Sequence, residues 1–100
     1  MQDTDYVLGT HDAEIARLGL QHQAWRPFAL SAWRRAGFTR GHTVLDIGCG
    51  PGYASFDLAE LVGPAGQVVA VDRSPRFLAA LEASRGARGL SGTLALIGDD

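Results

Sequence analysis

One hundred residues make at most one small domain, with room for one modest hydrophobic core. An apolar share of 46% and a charged share of 20% are ordinary for a globular chain, and they exclude a disordered tract, a collagen-like repeat and a coiled coil. A net charge of −2 leaves no broad basic field of the kind that drives non-specific nucleic-acid binding. No apolar run nears the ~18–20 residues of a membrane span. The opening stretch MQDTDYVLGT is acidic and lacks the basic-then-apolar order of a secretory signal. A lone cysteine, Cys49, excludes an internal disulfide framework and a cysteine-based zinc site. The cytoplasm is the expected compartment. All nine basic residues are arginine, and lysine and asparagine do not occur, which reads as the coding bias of a GC-rich genome.

Residues 1–9 read as a loosely packed arm. Thr10 can cap a helix, with Asp12 and Glu14 in its first turn. Ile15, Leu18, Leu20 and Trp25 follow at roughly helical spacing. Pro27 suits the first turn of a second helix, on which Phe28, Ala29, Ala32, Trp33 and Ala36 form an apolar stripe that Gly37 stops. Arg26, Arg34 and Arg35 fall off that stripe and read as a solvated face. His11, His22 and His42 lack metal-ligand spacing and read as solvated or capping residues. Tyr6, Gln21, His22 and Trp25 have two readings, a lid over a bound ligand or packing of the helices onto the core.

The pattern then changes. Thr43–Ile47 (TVLDI) is a short strand and Gly48–Gly52 (GCGPG) a glycine-dense turn. Tyr53–Val62 is a helix ended by Gly63-Pro64. Gln67–Val71 (QVVAV) is a buried strand closed by Asp72. Ser74-Pro75 caps a helix through about Arg85, and Thr93–Ile97 (TLALI) is a third strand ahead of Gly98-Asp99-Asp100. The order is two helices, then β-α-β-α-β. Strands alternating with such helices imply parallel pairing through right-handed crossovers. The expected architecture is an α/β fold, the N-terminal half of a doubly wound Rossmann-like sheet with strand order 3-2-1. Residues 1–40 form a helical cap and 41–100 the core. In that order the first strand lies at an open edge with only Asp46 as a charged guard, an aggregation hazard. A longer protein supplying further strands is therefore expected.

The segment Val44-Leu45-Asp46-Ile47-Gly48-Cys49-Gly50-Pro51-Gly52 carries the chemistry. It joins a strand to a helix, where open α/β sheets bind ligands beyond the carboxyl ends of their strands. Glycines let the backbone turn sharply and approach a ligand, and amides at the start of the next helix face it. Asp46 stands two residues before the first glycine, and Asp72 twenty residues after Gly52, each at a strand end. A carboxylate in the second position can accept both hydroxyls of a ribose. The dinucleotide fingerprint G-x-G-x-x-G would need glycine where Tyr53 stands; here the run is G-x-G-x-G. An acid at Asp46 repels a pyrophosphate but welcomes a ligand bearing an ammonium and a sulfonium, as S-adenosylmethionine does. The plainer readings are that Asp46 bonds amides of its own loop, that Asp72 caps the turn before Ser74, and that Asp99 belongs to an ordinary turn. Cys49 reads as a small loop filler, since no base or positive group stands beside it in sequence.

VLDIGCGPGYASFDLA resembles motif I of the class I S-adenosylmethionine-dependent methyltransferases, VVAVDRS the acidic-strand motif that follows, and LIGDD the next. The resemblance covers roughly residues 43–100. The helices ahead of it resemble, less specifically, the cap of many small-molecule methyltransferases. The resemblance implies S-adenosylmethionine as cofactor. Asp46 would hold the methionine amino group, and the backbone of Gly48, Cys49 and Gly50 would meet the methionine portion and ribose, with Gly52 also counted among the cofactor-binding residues. Asp72 would bind the ribose hydroxyls and Arg73 would lie along adenine. Asp99 would accept from the adenine amine, and the Asp100 amide would reach a ring nitrogen, although the family often has a smaller residue at this last position. The expected activity is methyl transfer by in-line displacement to a small-molecule acceptor. That reaction needs alignment and water exclusion more than a protein nucleophile. No catalytic base is assigned, because the fold's second half builds most of the acceptor pocket. This chain alone is expected to bind cofactor weakly at best and not to turn over. The alternatives are an NAD(P)-binding oxidoreductase domain and a non-catalytic fragment that binds only cofactor or a partner.

Overall fold

The computed structural model describes residues 11–98. The chain runs α1 (His11–Arg35), β1 (Thr43–Ile47), α2 (Tyr53–Val62), β2 (Gln67–Asp72), α3 (Pro75–Ala87) and β3 (Leu94–Gly98). The three strands form one parallel sheet in the order β1-β2-β3. The expected 3-2-1 arrangement is therefore present. β1 and α2 fall where the sequence put them. β2 gains Asp72, α3 runs two residues further, and β3 is shifted by one.

The N-terminal region differs from expectation in one respect. Pro27, read as the start of a second helix, lies inside a single helix from His11 to Arg35. An interior proline removes one helical hydrogen bond and costs roughly 3 kcal/mol. Tertiary contacts on both sides of it offset that cost. His22 and Arg26 bind Asp57 of α2, while Trp33 packs against the core.

Strand pairing sets Val44 beside Val68, and Val68 beside Leu94. Side chains alternate between sheet faces. Val44, Val68, Ala70 and Leu94 thus share the face covered by α2 and α3, where they join Phe56, Leu58, Ala59, Val62 and Leu81 in the core. Burying a side chain such as Leu81 or Val62 contributes about 1.5–3 kcal/mol. On the other face Leu45, Ile47 and Ile97 remain 60%, 74% and 50% exposed. α3 begins as its sequence predicts. Pro75 is its first residue, and the Ser74 hydroxyl accepts from the Phe77 amide at 3.1 Å.

α1 docks on α2 through polar contacts. The Tyr53 hydroxyl donates to the Ile15 carbonyl at 3.0 Å, and the Tyr53 ring stacks on His22. A Cβ at Gly19 would meet the Tyr53 hydroxyl oxygen at 2.9 Å, so the close approach of the two helices uses that glycine. Trp25 and Phe28, in edge contact with each other, stay largely exposed. Among the described residues, no helix is long and apolar enough to cross a membrane.

Candidate functional site

The glycine turn closes on β2. The amides of Gly48 and Cys49 both donate to the Val71 carbonyl, at 2.7 and 3.0 Å. Gly48, Gly50 and Gly52 all have positive φ, at 73°, 58° and 96°. That is the left-handed region other residues enter only with strain. The turn therefore requires glycine at each of these positions on backbone grounds alone.

The surroundings of the three differ. A Cβ at Gly48 or Gly50 would meet nothing within 4 Å, so the backbone there is open to a ligand. A Cβ at Gly52 would lie 2.6 Å from Leu81 Cγ. Gly52 is buried beneath α3, and it caps α2 with no side-chain hydrogen bond. Its place in the turn is one of packing and backbone conformation.

Asp72 ends β2 with both oxygens engaged. Oδ2 accepts from the Gly50 amide at 2.8 Å and Oδ1 from the Ser74 amide at 2.9 Å. The cap on the turn before Ser74 is present, together with a bond that reaches back to the glycine turn. Each carboxylate oxygen can accept a second hydrogen bond. A cleft of about 190 Å³ opens beside it, lined by Ile47, Gly48, Val71, Asp72 and Arg73. Arg73 is exposed at its rim.

Asp46 is half-buried and shares a sheet face with Asp72; its register partner is Ala70, two residues earlier on β2. It bonds none of its own loop amides. Instead Oδ2 accepts from the Ser55 hydroxyl at 2.6 Å, and among the described residues Oδ1 takes no hydrogen bond. Asp46 does not line the cleft. Both acids nevertheless act on the turn. Burial pushes the Cys49 thiol up to about 12, and the charges of Asp72 and Asp46 add to the shift against a smaller opposing effect of a backbone hydrogen bond. The thiolate is the reactive form. We expect Cys49 in the folded chain to resist iodoacetamide at pH 8 and to react readily once urea has unfolded it; equal rates in the two states would contradict this environment.

The structure thus brings together Gly48, Gly50, Asp72 and Arg73, holds Asp46 close by, and sets Gly52 into the core. Asp99, Asp100 and Tyr6 lie outside the described residues. His22 is neither solvated nor a cap: its Nε2 meets Asp57 Oδ2 at 2.6 Å. His42 does cap, accepting at Nδ1 from the Thr39 amide. Gln21 and Trp25 are exposed. Sequence reasoning did not single out Ser55. A serine on the apolar, core-facing side of α2 was the available signal, because a buried hydroxyl takes a partner.

The groups around the glycine turn suit S-adenosylmethionine. Two carboxylates border an open glycine backbone, with Arg73 the cation of the cleft. This set suits ribose hydroxyls and a cationic methionine end, and it opposes a pyrophosphate. Tyr53 fills the third glycine position of the dinucleotide fingerprint, and its side chain is tied to α1.

A family profile described as a methyltransferase domain matches residues 38–99. The chain belongs to the class I S-adenosylmethionine-dependent methyltransferase family. Methyltransferase relatives include a demethylmenaquinone methyltransferase of Lactococcus lactis, 41% identical over 58 residues, which are 58% of this chain and 22% of that protein. A protein-L-isoaspartate O-methyltransferase of Ignicoccus hospitalis is 38% identical over 60 residues, covering 60% of this chain and 28% of that one. Among solved structures, a SAM-dependent methyltransferase from Aquifex aeolicus superposes with a TM-score of 0.64 at 26% identity, covering 70% of this chain and 37% of that one. The chain thus spans between about a fifth and two fifths of the length of these methyltransferases.

Proposed function

We propose that this chain is the cofactor-binding part of an S-adenosylmethionine-dependent methyltransferase acting on a small-molecule acceptor. The observation that carries the reading is Asp72, held by the Gly50 and Ser74 amides in the lining of a cleft that Gly48 also lines. Asp72 would receive the ribose hydroxyls. The backbone of Gly48, Cys49 and Gly50 would lie along the ribose and methionine portions, with Gly52 shaping the turn from beneath. Arg73 would lie along adenine, and Asp46 would answer the methionine ammonium. Asp99 and Asp100 keep the adenine roles that the resemblance implies. Residues 1–40 serve as the cap and 41–100 as the core.

Bound S-adenosylmethionine would supply a sulfonium-activated methyl group. The chain's own residues orient its ribose and methionine ends, leaving the acceptor to be positioned by other parts of the protein. A small acceptor is supported by the demethylmenaquinone methyltransferase relative, whereas the isoaspartate relative acts on protein. The unpaired thiol of Cys49 suits a reducing compartment, the cytoplasm. Calorimetric titration with S-adenosylhomocysteine, NADH and NADPH tests the reading. Saturable binding of the first alone is expected, and binding of a nicotinamide cofactor instead would overturn it.

A further inference from the structure

Ser55 stands on the first turn of α2, fully buried, with its hydroxyl directed at the end of β1. A hydroxyl removed from water in this way needs a partner, and Asp46 Oδ2 provides one at 2.6 Å. The bond is short and charge-assisted, the kind that fixes a carboxylate in one orientation. Half of the Asp46 carboxylate is thereby committed to the protein, while Oδ1 takes no hydrogen bond among the described residues. Asp46 acts electrostatically on Cys49, and so its charge reaches the glycine turn.

We propose that Ser55 is a positioning residue. It locks the Asp46 carboxylate so that Oδ1 is presented to the ammonium at the methionine end of the cofactor. The inference rests on the methyltransferase reading above. Ser55 touches no ligand; it acts through Asp46. Without its hydroxyl, Asp46 would have to be ordered by the ligand itself, and the cost would fall on affinity for ligands that carry the ammonium.

The test compares S-adenosylhomocysteine with 5′-methylthioadenosine, which keeps the adenosine and sulfur but lacks the amino-acid end. Both are titrated calorimetrically into the full chain and its variants. Ser55→Ala should weaken S-adenosylhomocysteine about tenfold and leave 5′-methylthioadenosine unchanged. Ser55→Cys, close in size but a weaker donor, should fall between Ser55→Ala and the unsubstituted chain. In an Asp46→Asn background, Ser55→Ala should cost little more, since the ammonium has already lost its charge partner. Equal weakening of both ligands would mean a structural role and overturn the proposal, as would unchanged S-adenosylhomocysteine affinity. Failure of the unsubstituted chain to bind either ligand, at concentrations that would fill a weak site, would instead overturn the reading of this chain as a cofactor-binding part, on which the proposal stands.

Discussion

Asp72→Ala abolishes S-adenosylhomocysteine binding while leaving a cooperative thermal transition and an unchanged far-ultraviolet circular dichroism spectrum. Asp72 has two tasks, and the substitution removes both. It accepts from the Gly50 and Ser74 amides, which fixes the glycine turn against the start of α3. Its remaining lone pairs are those available to the ribose hydroxyls. A hydrogen bond to a charged group contributes about 1.5–3 kcal/mol, so losing two lowers affinity by at least roughly a hundredfold. The fold survives because Asp72 lies at the end of β2, half-buried and outside the core cluster. The Ser74 hydroxyl still caps α3 without it. Asp72→Asn, which keeps an acceptor oxygen but not the charge, should fall between the two. Retained affinity in Asp72→Ala would show that the ligand lies elsewhere.

Gly52→Val has the opposite profile and strongly destabilises the fold. At φ 96° a residue with a Cβ is strained, and here that atom would also lie 2.6 Å from Leu81 Cγ. Leu81 is fully buried and has nowhere to move. Left-handed strain of about 1–2 kcal/mol and overpacking of about 1–3 kcal/mol add to roughly 2–5 kcal/mol. Single domains are stable by only about 5–15 kcal/mol, so the melting temperature should fall by roughly 8–40 °C. Gly48→Ala is the control. It carries the strain at φ 73°, but its Cβ meets open space, so it should melt well above Gly52→Val. If the two variants melted together, the contact with Leu81 would have no energetic weight.

The contrast between Gly48 and Gly52 shows where a linear reading stops. TVLDI, QVVAV and the Ser74-Pro75 cap identify their elements locally, because strand alternation and helix capping act over a few residues. The glycine turn and the acids at the strand ends likewise locate the site, since a β-α unit leaves little choice about where its loop lies. What the sequence conceals is which neighbour each residue meets. Gly52 looks like its two companions until α3 is folded over it. Ser55 meets Asp46 across nine residues, and His22 meets Asp57 across thirty-five. The same long-range contacts carry α1 through Pro27, a residue that local rules place at a helix start. Asp72 illustrates a different limit: capping and ligand binding look like alternatives in the sequence, yet a carboxylate has enough lone pairs for both.

The most direct test of the central claim is to follow backbone amide shifts by two-dimensional NMR while S-adenosylhomocysteine is added to the chain. The account predicts saturable shifts concentrated at Gly48, Cys49, Gly50, Asp72 and Arg73, with α1 and the start of β3 little affected. Saturable shifts clustered away from the glycine turn, or none at these five amides while ligand binds, would contradict it.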